Sequence, residues 1–435
     1  MSVVETEGSL ARPAVYGIAV RAIGLALGLA TAMFLARHLA AEDLGNYQSV
    51  LAICIVLAGQ SSALVERPAS RRIAASDRGD RSALSQEVAS AHLVAGTVVL
   101  ATSLLLVASS LLPGVPDSTR AVLRVVGLVV PALAVQSLRQ WIALPLQGVA
   151  ASLGPEQLGQ PLVFLGVAGL AASLGWLGPM EALVIYAFAC WFVWLVSSWR
   201  SGLLVHLVEG VRRLPAVRSH RARMREGRPF VVLAAVGVLP VYATVPLVAA
   251  LLGSADAGRT AIAVQLSGLV GVPLQMVSLA MMPRCARLHR DRNTAALDGL
   301  VRRACTISLV FGLVLAALLL VSLDTILRLL GPSFAAASGL VVVLVLGQLL
   351  SAALGPNGPT LQMIGLERQA VRIESLATVL RLVAVAVAAA LGSTLGVAFA
   401  ITVTVMLRNL LLSATLYRRA GILTLPVLSR GHVAG

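Results

Sequence analysis

Five arginines interrupt long apolar stretches of this chain: Arg21, Arg124, Arg139, Arg381 and Arg408. A charged side chain at the centre of a membrane span costs at least about 2.5–3.5 kcal/mol, so each is a functional candidate by default. A guanidinium presents a planar fork of donors that matches phosphate or carboxylate oxygens, so the chemistry on offer is recognition of an anion. Arg21 shares a helix face with Gly17, Gly24 and Gly28, which let neighbouring helices approach closely. Arg381 shares a face with Thr378 and Glu374, and Arg139 stands beside Gln136 and Gln140. Each site has an alternative. Arg21, Arg124 and Arg408 lie near enough to span ends to snorkel to an interface. Arg139 is close to the cytoplasmic edge, and Arg381, too deep to snorkel, either faces a cavity or pairs with Glu374.

Two prolines, Pro240 and Pro246, flank Tyr242 and Thr244 in the stretch GVLPVYATVPLVAALLG, and Gln265, Pro273 and Gln275 repeat the pattern more weakly. Each proline removes a backbone hydrogen bond, and the freed carbonyls are tolerated in a membrane only where protein or a wet cavity meets them. These stretches read either as bending, cavity-lining helices or as static kinks. The first reading makes Gln136, Tyr242 and Gln265 cargo contacts and Pro240, Pro246 and Pro273 hinges.

The elements that hold these residues follow from composition. Of the 435 residues, 58% are apolar and only 12% charged, and the mean hydropathy is +0.90. A soluble domain carries roughly a quarter charged residues, so this chain lacks a coat for water and its solvent is lipid. A span needs about 20 apolar residues. Twelve are expected, near 14–36, 46–66, 89–112, 122–144, 157–175, 180–199, 229–252, 258–282, 304–323, 335–356, 372–391 and 394–416. Open sheets are excluded in lipid, which leaves an all-α polytopic membrane protein. Residues 76–88 and 284–303 read as short amphipathic interfacial helices.

Charge orders the spans. The stretch 200–228 holds eight arginines and two glutamates, which belongs on the cytoplasmic side as a connector between residues 1–199 and 229–435. Its arginines are expected to serve topology and anionic head groups. With a cytoplasmic N-terminus, 25 arginines fall in inner segments and four, Arg37, Arg120, Arg259 and Arg328, in outer ones. That bias predicts both termini inside. The same placement assigns the formal charge of +15 to loops, not to nucleic-acid binding. The first span lacks an A-x-A cleavage site and is expected to be retained.

The halves echo each other. Leu39–Gly45 (LAAEDLG) resembles Leu252–Gly258 (LGSADAG) at an offset of 213 residues. Pro68–Arg72 matches Pro283–Arg287, and Leu146–Gly148 matches Leu361–Met363, both at 215. Three matches at nearly one offset predict two six-helix parallel repeats, related by an axis along the membrane normal with a cleft between them.

Several chemistries are not expected. The four cysteines have no metal spacing, and no P-loop, zinc motif or catalytic dyad occurs, so neither an enzyme nor a metal or other cofactor is expected. Glu66, Glu181, Asp324 and Glu374 all lie toward span ends, so the interior reads as rich in arginine and poor in acid, which favours an anionic cargo.

Several stretches then resemble one known group. Phe34–Tyr47 (FLARHLAAEDLGNY), Gly258–Arg287, Gly331–Leu354, Gly355–Gly365 (GPNGPTLQMIG) and Gly392–Arg418 are similar to polysaccharide-biosynthesis flippases of the Wzx type, within a superfamily that includes multidrug and toxin extruders and lipid II flippases. The resemblance implies a V-shaped bundle in a bacterial inner membrane that moves a polyprenyl-pyrophosphate-linked oligosaccharide from the inner to the outer leaflet. It implies Arg21, Arg381 and Arg139 as neutralisers of the pyrophosphate, membrane lipids as surroundings, and polysaccharide polymerase and glycosyltransferases as partners. The alternatives are a multidrug or metabolite exporter of the same fold and a non-transporting component of a biosynthetic complex.

Overall fold

A computed structural model describes residues 8–75, 81–212 and 217–426. Among these the backbone is helical throughout, with no strand. The first set of helices is α1 (Gly8–His38), α2 (Ala41–Ala63), α3 (Glu66–Ala75), α4 (Arg81–Ser109), α5 (Asp117–Gly154), α6 (Gln160–Ser173) and α7 (Pro179–Arg200). The connector contributes α8 (Leu203–Val211) and the start of α9 (Val217–Tyr242). The second set is α10 (Thr244–Leu252), α11 (Ser254–Gly268), α12 (Val272–Arg290), α13 (Thr294–Leu330), α14 (Ser338–Leu354), α15 (Asn357–Met363), α16 (Glu367–Ala390) and α17 (Thr394–Ala420).

The chain is an all-α, multi-pass membrane protein. Nine helical stretches among the described residues are long and apolar enough to cross a bilayer. The three other expected crossings are helical too, one of them entered through acidic residues and two of them interrupted. Helix α2 opens on Glu42 and Asp43, α6 is entered through a π-helical turn at Pro155–Gly159, and α9 and α10 are separated at Ala243.

The chain divides into two compact units. The first takes the described residues up to Leu39 and Asn46–Pro246; the second takes Ala40–Gly45 and the described residues from Leu247 on. The first core is closed by Val65, Ala69, Val88, Ala91, Leu138 and Ile142, from α3, α4 and α5. The second is closed by Leu297, Val301, Leu361, Leu412 and Leu416, from α13, α15 and α17.

In the second unit the start of α2 crosses the start of α11, and the repeated motifs explain the contact. A Cβ on Gly45 would strike the Ser254 carbonyl, and one on Gly258 would strike that of Ala41. Ala41 and Ser254 are equivalent positions at the 213-residue offset, so the crossing is reciprocal and only small residues permit it. Replacing Gly258 with leucine should cost about 1–3 kcal/mol of stability through overpacking. The same change at Gly28, where a Cβ meets open space, should be tolerated. Thermal unfolding of the two variants in detergent checks this.

Two expected loop elements differ. Residues 76–80 lie outside the described residues, and Arg81–Val88 continue into α4 without a separate interfacial helix. The amphipathic segment is α3 instead, Glu66–Ala75, directly before that stretch. The stretch 284–303 is divided between the end of α12 and the start of α13, joined by a turn in which Arg292 has a φ of 55°. The connector also does more than face lipid. Arg223 donates to both carboxylate oxygens of Glu87 at 2.7 Å, and Arg72 donates to the same group at 2.7 Å. A Cβ on Gly210 would strike the Ser85 carbonyl, and the Ser85 hydroxyl lies 2.8 Å from His206 Nδ1. Helix α8 is thereby pinned across the start of α4.

Candidate functional site

Helix α5 sets the geometry of the first unit. It breaks at Gly148, whose φ of 82° and ψ of 178° are non-helical. Beyond the break the chain winds through the π turn at Pro155–Gly159 into α6. A π turn inserts an extra residue per turn and rotates side chains off the regular helix face, a device common at functional sites. Here it carries Glu156, which interacts electrostatically with Arg139, Arg21 and Glu66.

Arg139 is 1% exposed. Its guanidinium donates to the Ser152 carbonyl at 2.7 Å, thirteen residues on and beyond the break at Gly148. It thus satisfies the kinked backbone and faces Glu156, and it does not line the cavity described below. Arg21 stands half-buried on α1. Of the glycines on its face, Gly24 packs so closely that a Cβ would sit 2.7 Å from Gln157, whereas Gly28 has open space. Arg124 is exposed on α5.

A cavity of about 340 Å³ opens inside the first unit. Its polar wall comprises Glu66, Arg67, Gln136, Ser137, Glu156 and Gln160, and its aromatic wall Trp141, Tyr186 and Tyr242. A smaller space of about 180 Å³ adjoins it, sharing Glu156, Gln160 and Tyr186 and reaching Gly24 and Thr31 on α1. Glu66 is 8% exposed and accepts from the Ser137 hydroxyl at 2.5 Å. Arg67 lies over the Trp141 ring, 5.6 Å from its centroid, within cation–π range. Gln136 and Tyr242 are therefore brought to one cavity. Gln265 is half-buried on α11 in the second unit.

The second unit gathers a separate polar cluster at mid-helix. Arg408 on α17 pairs with Glu374 on α16 at 3.6 Å and donates to the Asn409 side-chain oxygen at 3.0 Å. Asn409 in turn donates to the Ser351 hydroxyl at 2.9 Å, and Asn357 donates to the Asn409 carbonyl at 2.9 Å. Arg381 lies within electrostatic reach of Arg408. Glu374 is thus held by Arg408 across to the next helix. Arg408 thus stands between one carboxylate, Glu374, and a second arginine, Arg381.

The proline-marked stretches are bent. Helix α9 ends at Tyr242 between Pro240 and Pro246, and the Thr244 hydroxyl donates back to the Pro240 carbonyl at 3.5 Å. Helix α11 passes through a 3₁₀ turn at Leu269–Gly271, and Pro273 sits in the first turn of α12, where its missing N–H costs nothing.

Sequence reasoning missed Glu156, Gln160, Trp141 and Tyr186. The available signal was the run Gly154-Pro155-Glu156-Gln157, with Gly159 and Gln160 following, at the mouth of an apolar segment. The acid-poor interior expected from the sequence is corrected here: Glu66 and Glu156 share one cavity.

Comparison with known proteins bears on the fold. A family model described as MatE matches residues 232–387. No curated protein matches the sequence. Among solved structures, the chain is similar to the lipid II flippase MurJ in an inward closed conformation, with a TM-score of 0.68 at 11% identity over 92% of this chain and 87% of that one. It is also similar to a multidrug resistance MATE family transporter of the MOP superfamily in an inward-facing conformation, with a TM-score of 0.67 at 15% identity over 94% and 98%. A third likeness is to a MOP superfamily transporter from Pyrococcus furiosus, whose binding pocket is described as of reverse polarity, with a TM-score of 0.62 at 12% identity over 94% and 95%. Identities this low show a shared fold and nothing finer.

Proposed function

We propose that this chain is a flippase that carries a polyprenyl-pyrophosphate-linked oligosaccharide from the cytoplasmic to the outer leaflet of a bacterial inner membrane, by alternating access, during surface polysaccharide biosynthesis. The observation that supports this best is the cluster of Arg408, paired with Glu374, and Arg381 within electrostatic reach of it. Such an arrangement is costly in lipid unless an anion completes it. A pyrophosphate offers oxygens to both guanidinium forks, while its polyprenyl tail stays in the surrounding hydrocarbon. The breaks at Ala243 and Leu269–Gly271 are the places where helix segments can change angle as the cargo passes. Both termini then lie in the cytoplasm, and glycosyltransferases and a polysaccharide polymerase supply and consume the cargo.

A second reading, a multidrug or metabolite exporter, is favoured by Glu66 and Glu156, which could meet a cationic compound in the first-unit cavity. A deletion strain separates the two. Loss of surface polysaccharide with unchanged drug susceptibility is the expected result. Increased susceptibility with normal polysaccharide would favour the exporter.

A further inference from the structure

The first-unit cavity contains a defect that no contact among the described residues repairs. Gln136 is 2% exposed, it lines the cavity, and neither its amide nitrogen nor its amide oxygen has a hydrogen-bond partner. One carboxylate oxygen of Glu156, also in the wall, is unpartnered as well. Buried polar atoms left unmade are expensive, and they are rare in native structures without a reason. The chemistry of the missing partner can be read from them. A cation would satisfy the amide oxygen and the carboxylate but not the amide nitrogen. An anion would satisfy only the nitrogen. A hydroxyl both donates and accepts, so a ligand carrying several hydroxyls satisfies all three atoms.

Charge and shape point the same way. Each carboxylate already has cationic neighbours, Arg67 for Glu66 and Arg139 and Arg21 for Glu156. The rings of Tyr186 and Tyr242 offer flat apolar surface for the C–H face of a pyranose. The volume of about 340 Å³ is at the lower end of the roughly 300–1,000 Å³ typical of small-molecule sites. We propose that this cavity is a saccharide subsite, which takes a neutral sugar residue of the cargo on Gln136, Glu66 and Glu156. The subsite rests on the flippase reading for its biological cargo, while the pyrophosphate is engaged elsewhere, at Arg381 and Arg408.

The test uses the full-length protein in nanodiscs and saturation-transfer NMR, with methyl glycosides of glucose, galactose, mannose and N-acetylglucosamine as probes and tetraphenylphosphonium as a cationic competitor. At least one glycoside should bind, and Gln136→Met should weaken it tenfold or more. Because that substitution removes unmade polar groups, the ligand-free protein should be no less heat-stable than wild type. A second variant, Gly59→Leu, fills the cavity from a wall position where a Cβ finds its nearest neighbour, Val238, 3.8 Å away. It should abolish glycoside binding while folding normally. Absence of binding by all four glycosides, or binding indifferent to both variants, overturns the subsite. Tetraphenylphosphonium binding that depends on Gln136 also overturns it, in favour of a cation site. Glycoside binding without lipid flipping in liposomes would leave the subsite standing and sink the flippase reading. Flipping without Gln136-dependent glycoside binding would do the reverse.

Discussion

Replacing Arg408 with glutamine is expected to reduce transport of lipid-linked oligosaccharide about 100-fold, and replacing Glu374 with glutamine in the same protein is expected to restore most of it. The cluster on α16 and α17 carries two arginines and one glutamate, with Arg408 and Glu374 paired at 3.6 Å and Arg381 in electrostatic reach. Removing Arg408 alone takes away the partner of Glu374 and leaves its carboxylate facing the cargo, which repels the anion the cluster should hold. Charge-assisted hydrogen bonds contribute roughly 1.5–3 kcal/mol each, and about 1.4 kcal/mol is a factor of ten, so two lost contacts bring the loss to about 100-fold. The double variant returns the excess of one positive charge through Arg381. Replacing both Arg381 and Arg408 removes the excess for good, and no partner change should rescue it. Initial flipping rates in liposomes, normalised to reconstituted protein, check the series. A double variant as inactive as Arg408→Gln would mean that the fork of Arg408, and not the charge excess, is what the cargo needs.

The second large effect is on stability. Arg139→Met should destabilise the first unit by about 1–3 kcal/mol, the cost of removing one partner of a buried hydrogen bond. The Ser152 carbonyl loses the bond at 2.7 Å, and Glu156 loses one of its two positively charged neighbours. Adding Glu156→Gln should recover part of the loss by removing the stranded carboxylate, but not the part owed to Ser152. Thermal unfolding in detergent and the amount of protein reaching the membrane report the effect. Molecules that do fold should transport at nearly the normal rate, because Arg139 is 1% exposed and lies behind the cavity wall. A stable but inactive Arg139→Met protein would instead place its guanidinium on the cargo.

The all-helical membrane fold was largely legible in the sequence because hydropathy acts over twenty residues at a time. The twelve expected spans each fall on helix, and the repeat LAAEDLG/LGSADAG marks the reciprocal crossing of Gly45 and Gly258. The bends flagged by Pro240, Pro246 and Pro273 also occur where proline chemistry puts them. What was not legible depends on a single backbone rotation. The break at Gly148 turns the Ser152 carbonyl back toward Arg139, thirteen residues earlier, and no periodicity announces that contact. The π turn likewise brings Glu156 into the helical path, where a hydropathy window begins the span one residue later and leaves the acid in a loop. Glu66 looked peripheral for a similar reason. It ends one crossing, yet α3 folds back beneath it and keeps it 8% exposed. Pairings between distant segments, such as Glu87 with Arg72 and Arg223, needed the tertiary structure.

The most direct measurement of the central claim is reconstitution of the purified protein in liposomes holding a fluorescent polyprenyl-pyrophosphate-linked oligosaccharide, with dithionite quenching of the outer leaflet as the readout. The account predicts that wild-type protein makes the inner-leaflet pool accessible to quencher, and that Arg381→Gln/Arg408→Gln protein in equal amount does not. Flipping at the wild-type rate by the double variant would contradict the assignment of the anion site. No flipping by wild-type protein, in liposomes where it extrudes a cationic drug, would contradict the function itself.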